Sequence, residues 1–169
     1  DPAPAQEALR KAAAIAHGAG RKVALSLSDP FCVERHRDAF RELVNGHVDI
    51  LFANEVEICS LYETADFAEA AAAVRGRVAI AALTRSAGGS VILADGVEHV
   101  IAAAPVTRVV DTTGAGDLYA AGFLYGLTGG LPLPTCGAIG SLCAAEIISH
   151  VGARPETELS HLVAEAGLG

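Results

Sequence analysis

The chain has 169 residues, of which 51% are hydrophobic, and it carries a formal net charge of −8. That length suffices for a substantial core, so we expect residues 1–169 to form a single domain. The acidic balance argues against nucleic acid or an anionic membrane surface as a partner. We also expect no membrane partner, because no apolar run could span a bilayer and no signal-peptide pattern is present.

The cysteine pattern predicts a protein of a reducing compartment. No C-x-x-C spacing occurs among Cys32, Cys59, Cys136 and Cys143. We therefore expect free thiols and a cytoplasmic location, with the last two cysteines packed in a core. The sequence contains no methionine and opens with Asp1-Pro2, which indicates a fragment or a processed chain.

Hydrophobic periodicity predicts alternating helices and strands along the chain. In order, we expect a helix at 5–17, strand 22–27, helix 33–44, strand 48–53, helices 54–62 and 66–75, strand 78–83, strands 90–94 and 97–102 as a hairpin, strand 106–110, and helices 114–127, 134–149 and 156–166. This alternation predicts an α/β fold, a three-layer α/β/α sandwich with a mainly parallel sheet.

Polar segments follow four of the predicted strands. They are Ser28-Asp29, Asn54-Glu55, Thr84-Arg85-Ser86 and the run from Asp111 to Asp117. Ligands of such folds bind at the carboxyl ends of the strands, so this pattern favours a site assembled there. The alternative is that these are ordinary polar loops.

The most informative segment is Asp111-Thr112-Thr113-Gly114-Ala115-Gly116-Asp117, between a β-branched run and a small apolar helix. The first turn of a helix presents unpaired N–H groups and the positive end of the helix dipole. Gly114 and Gly116 lack the Cβ atoms that would keep an anion away from these groups. Gly114, Ala115 and Gly116 are thus the predicted anion hole and Asp117 the predicted catalytic base, whereas the alternative is a capped helix.

Two other segments are weaker candidates. Asn54 and Glu57 follow a buried strand, where Glu57 could contact Mg²⁺ through water, or Asn54 could simply cap a helix. Thr84, Ser86 and Gly89 belong to a glycine-containing turn that could hold nucleotide phosphates, or form an ordinary loop. His150 is either a helix C-cap residue or part of a nucleotide rim, and exposed carbonyls around it could bind a cation.

Residues 111–123 and the Asn54-Glu55-Val56-Glu57 segment together resemble the signature motifs of the ribokinase-like, or phosphofructokinase-B (PfkB), carbohydrate and nucleoside kinases. The resemblance extends over essentially the whole chain. Within the family, residues 25–31 and 48–55 look most like adenosine kinases, and the Asp-x-Asn-x-Arg pattern frequent in sugar kinases is missing. Ser86 stands where the family frequently has glycine.

The resemblance implies a ribokinase-like fold and ATP-dependent phosphorylation of a primary hydroxyl, with adenosine converted to AMP. It implies that Asp117 is the base, that Gly114 to Gly116 form the anion hole, and that Asn54, Glu57, Thr84, Ser86 and Gly89 serve ATP and Mg²⁺. It also implies a K⁺ site at Asp111 with carbonyls near Thr113, His150 and Gly152. The alternatives are a sugar kinase of the same fold and a nucleotide-binding module without turnover.

Family members are roughly twice as long as this chain. The resemblance therefore implies the C-terminal, nucleotide-binding and catalytic part. Its expected partners are a small nucleoside or sugar acceptor and an N-terminal half that carries the lid and the acceptor pocket, and a homodimer stays open. We expect the isolated chain to be poorly active, because water would reach the site without the lid.

Overall fold

A computed structural model describes residues 3–169, so Asp1 and Pro2 lie outside the described residues. The helices of the described part are α1 Ala3–Gly18, α2 Pro30–Arg35, α3 Arg37–Gly46, α4 Glu55–Tyr62, α5 Phe67–Val74, α6 Ala115–Thr128, α7 Leu133–Ile147 and α8 Leu159–Glu165. The strands are β1 Ala24–Ser26, β2 Ile50–Asn54, β3 Ile80–Thr84, β4 Ser90–Ala94 and β5 Val97–Ile101. Within residues 3–169, no helix is both long and apolar enough to cross a membrane.

The five strands form one sheet in the order β1-β2-β3-β4-β5. β1 and β2 pair in parallel, with Leu25 opposite Leu51. β4 and β5 are joined by Asp95 and Gly96 alone, both with positive φ, which is the geometry of a two-residue hairpin turn. The sheet is thus mixed, and the predicted α/β class is confirmed.

Contacts divide the chain into two compact units. The first unit extends to Leu83 and includes Leu93–Val97, and the second comprises Thr84–Ile92 and Glu98–Gly169. The single domain expected from chain length stays a prediction, and the two units are described in turn.

In the first unit, two arginines of α3 hold the C-terminal end of α4. Arg37 Nε donates to the Ser60 carbonyl and Arg41 Nε to that of Leu61, both at 2.9 Å. Their remaining nitrogens pair with Glu63 at 3.1 and 3.0 Å. The Leu61 carbonyl receives no backbone N–H within the described residues, and the Ser60 carbonyl also accepts the Glu63 N–H, so these arginine bonds add to the capping of α4.

In the second unit, α6 and α7 pack unusually closely because glycines face the contact. A Cβ on Gly122 would lie 2.8 Å from Cys143 Sγ and 2.9 Å from the Ile139 carbonyl oxygen. A Cβ on Gly126 would lie 3.1 Å from Cys136 Sγ. Both cysteines are buried and all four cysteines of the chain are free, so the predicted core thiols are confirmed.

The predicted helix 33–44 is wrong in its extent, because two helices meet at His36. Asp29 caps α2 by accepting a hydrogen bond from the Phe31 N–H at 2.8 Å, and Pro30 occupies the first helical position. His36 has φ −124° and ψ 29°, outside the helical region, and separates α2 from α3. Hydrophobic periodicity does not predict a break of the backbone at a single residue such as this one.

The predicted strand 106–110 is also wrong, since this segment is irregular. The side chains of Val109 and Val110 are 57% and 37% exposed, and the Val110 N–H donates to the Ile148 carbonyl at the end of α7. β-Branched residues favour a half-buried pleated surface, which these valines do not have here.

We expect Gly122→Ala to lower the free energy of unfolding by about 1–3 kcal/mol, because the added methyl group overlaps atoms of α7. Gly116→Ala is a matched control in the same helix, since its Cβ would meet nothing within 4 Å. The control should stabilise by about 0.5–1 kcal/mol through helix propensity. Urea unfolding midpoints of the two variants test this, and equal midpoints would contradict the close-packing explanation.

Candidate active site

The N-terminus of α6 is set by Gly114, which occupies the cap position with φ +82°. That left-handed conformation is unfavourable for residues with a Cβ. A Cβ on Gly114 would also lie only 3.1 Å from the Cβ of Ala153. Both the conformation and the close approach therefore require glycine at this position.

The first turn of α6 leaves amide donors available. Ala115 N–H donates to the Thr112 carbonyl at 3.2 Å, and Leu118 N–H begins the helix by donating to Gly114 at 2.9 Å. Within residues 3–169, the amides of Gly116 and Asp117 have no acceptor. Both residues are exposed, and a Cβ on Gly116 would project into open space. Packing does not require this glycine, whereas close approach of an anion to the amides would.

Asp111 organises the segment that precedes this turn. Its Oδ1 accepts hydrogen bonds from Thr113 N at 2.9 Å and Thr113 Oγ1 at 2.7 Å, and its Oδ2 accepts one from Gly152 N at 3.1 Å. The two bonds from Thr113, followed by that from Gly152, lower the pKa of Asp111. The structure thus brings together three of the four residues predicted for the cation site.

For the fourth, His150, the predicted ligand is the backbone carbonyl, and its imidazole ring lies beside two carboxylates. Its Nε2 lies 3.3 Å from Glu146 Oε1 and its Nδ1 lies 3.8 Å from Glu156 Oε1. Burial tends to lower the pKa of His150, but the bond to Glu146, the Val151 backbone and the nearby carboxylates raise it overall. Across residues 3–169, no backbone N–H donates to the carbonyl oxygens of Thr113, His150 or Gly152. These free carbonyls are the kind of donor that a hard cation takes.

Sequence reasoning missed Glu146. Its side chain is only 7% exposed, and its Oε1 accepts hydrogen bonds from the N–H groups of Glu156 at 2.8 Å and Thr157 at 2.9 Å. Burial tends to raise the pKa of Glu146, but these two backbone bonds, together with His150, lower it overall. The signal in the sequence was a single carboxylate in the otherwise uncharged second half of α7.

The glycine-containing turn after β3 is held by its own backbone. Arg85 N donates to the Gly89 carbonyl at 2.8 Å, and Gly89 N donates to Ser86 at 3.1 Å. A Cβ on Gly89 would overlap the Ile101 carbonyl, so only glycine fits. Ser86 has φ +49°, which lies in the left-handed region that glycine favours. This conformation fits the resemblance noted from the sequence, in which glycine is frequent at this position. Among the described residues, the amides of Ser86 and Ala87 have no acceptor.

In the first unit, Asn54 and Glu57 form a capping box at α4. The Asn54 side chain accepts from Glu57 N at 2.9 Å, and Glu57 Oε2 accepts from Asn54 N at 2.8 Å. Glu57 Oε1 accepts from Asn54 Nδ2 at 2.8 Å. Burial is the largest influence on Glu57 and raises its pKa, and the charge of Asp29 acts in the same direction. The capping role is therefore present, and each carboxylate oxygen keeps one lone pair for a water ligand of Mg²⁺.

The model of the pfkB family carbohydrate kinases matches residues 2–159. The chain belongs to this family. The structure is similar to that of a probable sugar kinase from Rhizobium etli CFN 42, with 48% identity, a TM-score of 0.94 and coverage of 97% of this chain and 50% of that chain.

Two further relatives bear names that state a nucleoside. The adenosine kinase from Sinorhizobium meliloti is 46% identical with a TM-score of 0.94, and the match covers 98% of this chain and 51% of that one. The cytidine kinase of Thermococcus kodakarensis is 33% identical over 138 residues, which are 79% of this chain and 49% of that protein. The chain thus spans about half the length of these relatives.

We expect the stability contributed by Asp111 to depend on pH. Because its pKa is lowered in the folded state, the carboxylate stabilises the fold above its unfolded pKa of about 3.9 and loses this effect as pH falls through the folded value. Asp111→Asn should therefore lower the unfolding midpoint at pH 7 and matter less as the solution is acidified. Urea unfolding from pH 7 to pH 3 measures this, with Glu165→Gln on the exposed end of α8 as control. A constant difference across the range would contradict the assignment.

Proposed function

We propose that the intact protein containing this chain transfers the γ-phosphoryl group of ATP to a hydroxyl group of a nucleoside, with adenosine as the first candidate acceptor. The observation that carries the proposal is the first turn of α6. There, the amides of Gly116 and Asp117 have no acceptor among the described residues, the space beside Gly116 is open, and the Asp117 carboxylate is exposed next to them. An anion-binding turn with an adjacent carboxylate suits phosphoryl transfer.

In the proposed reaction, the acceptor hydroxyl oxygen forms a bond to the γ-phosphorus while the bond from that phosphorus to the β-γ bridging oxygen breaks. ADP leaves with the electrons of that bond, and the hydroxyl proton passes to the Asp117 carboxylate. The free amides of the first turn, those of Gly116 and Asp117, donate to the oxygens of the transferred group as charge develops on them. A loose transition state needs little proton removal at first, so Asp117 chiefly orients the hydroxyl.

Two cation sites belong to the proposal. Mg²⁺, when bound, neutralises phosphate charge, and Glu57 and Asn54 are the residues that would hold its water ligands. Asp111 and the carbonyls of Thr113, His150 and Gly152 would hold a monovalent cation, for which K⁺ is our choice. The free carbonyl oxygens and the ionised Asp111 support this donor set.

The relatives of this chain support adenosine as the acceptor and also leave a sugar as the second candidate acceptor. The relative named adenosine kinase matches nearly all of this chain, which favours a nucleoside. The relative named probable sugar kinase matches equally well, which favours a sugar kinase as the second candidate. The acceptor pocket is proposed to lie in the N-terminal half of the intact protein.

A substrate panel tests the function. The intact protein is given ATP, Mg²⁺ and K⁺ with adenosine, cytidine, ribose or fructose, and the phosphorylated product is measured by mass spectrometry. We expect AMP from adenosine as the main product. A phosphorylated sugar as the main product would favour the sugar kinase. ATP binding without any product would favour a nucleotide-binding module and overturn the kinase proposal.

We expect Asp117→Asn to lower kcat by about 10²–10⁴-fold, because the amide can neither accept the proton nor orient the hydroxyl in the same way. The KM for ATP should change little, since the amides remain. Steady-state kinetics of the intact protein measure both constants, with Glu165→Gln as a matched control. A near-wild-type kcat would remove Asp117 from the role of base.

We expect Gly116→Ala to lower kcat/KM for ATP by about tenfold or more while leaving the fold intact, because its methyl group enters the space proposed for the phosphate. Titration calorimetry with an ATP analogue and urea unfolding separate binding from stability. Unchanged nucleotide binding and turnover would show that no phosphate approaches Gly116.

A further inference from the structure

Glu146 holds the loop that follows α7. This loop, residues 148–158, has no regular secondary structure. Glu146 Oε1 receives the N–H groups of both Glu156 and Thr157, at 2.8 and 2.9 Å. One side-chain oxygen thus satisfies two backbone N–H groups at the far end of the loop and connects that end to α7.

The same loop supports the start of α6. Gly152 N donates to Asp111 Oδ2 at 3.1 Å, and Ala153 lies behind the cap residue Gly114, where an added Cβ would approach it to 3.1 Å. A shift of the loop would therefore move both the Asp111 turn and the surface against which Gly114 packs. Packed structures transmit such shifts because their interiors compress little.

Packing alone does not hold this loop. Glu146, Ser149 and Thr157 border an open surface groove, so the packing around this part of the loop is incomplete. Glu146 Oε2 is buried and has no hydrogen-bond partner within residues 3–169. An unsatisfied buried oxygen costs about 1–3 kcal/mol, so an apolar residue here would be expected to stabilise the helix better. The presence of a carboxylate here is better explained by its other oxygen, Oε1, which accepts the hydrogen bonds from the loop.

We infer that Glu146 is a positioning residue: by binding the backbone of residues 156 and 157, it fixes the loop that sets the geometry of the anion-binding turn at the start of α6. The expected effect on turnover rests on the proposed kinase function. The hydrogen bonds between Glu146 and the loop do not depend on that function. Glu146 acts through Ala153 and Gly152 and does not contact the reacting groups.

Three substitutions separate hydrogen bonding from charge. Glu146→Gln removes the charge but keeps an acceptor oxygen at the same reach. Glu146→Asp keeps the charge but shortens the side chain by one methylene, and Glu146→Leu removes both. Glu165→Gln, an exposed carboxylate at the end of α8, is the control. Each is made in the intact protein, and the urea midpoint of each is measured first.

The first readout is amide hydrogen exchange of residues 150–157 and 111–117, measured by mass spectrometry. We expect the Asp and Leu variants to exchange about tenfold faster or more in both segments, and the Gln and control variants to match the wild type. The second readout is kinetics with ATP and adenosine. We expect kcat to fall about 10- to 100-fold in the Glu146→Asp and Glu146→Leu variants, with little change in KM. The Glu146→Gln variant should keep the wild-type kcat.

Rescue by Asp but not by Gln would assign Glu146 a role through its charge and overturn the inference. Wild-type exchange and kcat in a folded Asp or Leu variant would also overturn it. If Leu fails to fold, the comparison of Gln with Asp still decides. If the wild-type protein phosphorylates none of the panel, the proposed function fails, and hydrogen exchange still tests the hold on the loop separately.

Discussion

The start of α6 depends on the close approach of the Gly114 backbone to Ala153. Gly114 adopts a left-handed conformation and lies against Ala153, and from that point the helix directs its first amides outward. A residue with a Cβ would be strained there and would push the loop behind it away. The helix dipole and the free N–H groups are general properties of a helix end, but their direction is specific to this contact.

Hydrogen bonds to two carboxylates stabilise the segments on both sides of that contact. Asp111 joins Thr113 to Gly152 through its two carboxylate oxygens, and Glu146 holds the other end of the same loop. Both carboxyl groups have lowered pKa values because backbone N–H groups donate to them. Each joins the backbone of segments that lie apart in the chain, and a carboxylate oxygen can accept more than one such hydrogen bond. In the first unit, Asn54 and Glu57 are ordered by a similar local device, the capping box.

Local signals in the sequence predicted much of this accurately. Periodicity and turn residues located the hairpin at Asp95-Gly96 and the helix that begins after Gly114, because each depends on near neighbours in the chain. The same reasoning placed a strand at 106–110 and one helix at 33–44. Both errors concern segments whose state is set by distant partners, such as the Ile148 carbonyl for Val110. Glu146 was missed for the same reason, since its partners follow it by ten and eleven residues.

The sequence by itself determined the α/β class, the kinase family and the residue types at the start of α6. These are properties of composition, periodicity and a short contiguous motif, which need no tertiary information. Only the tertiary structure decided that Gly114 packs on Ala153, that Asp111 binds Gly152 across 41 residues, and that Glu146 is buried. The reason is physical: a free amide or a buried carboxylate is defined by which atoms of distant segments surround it, and the sequence specifies those neighbours only through the folded chain.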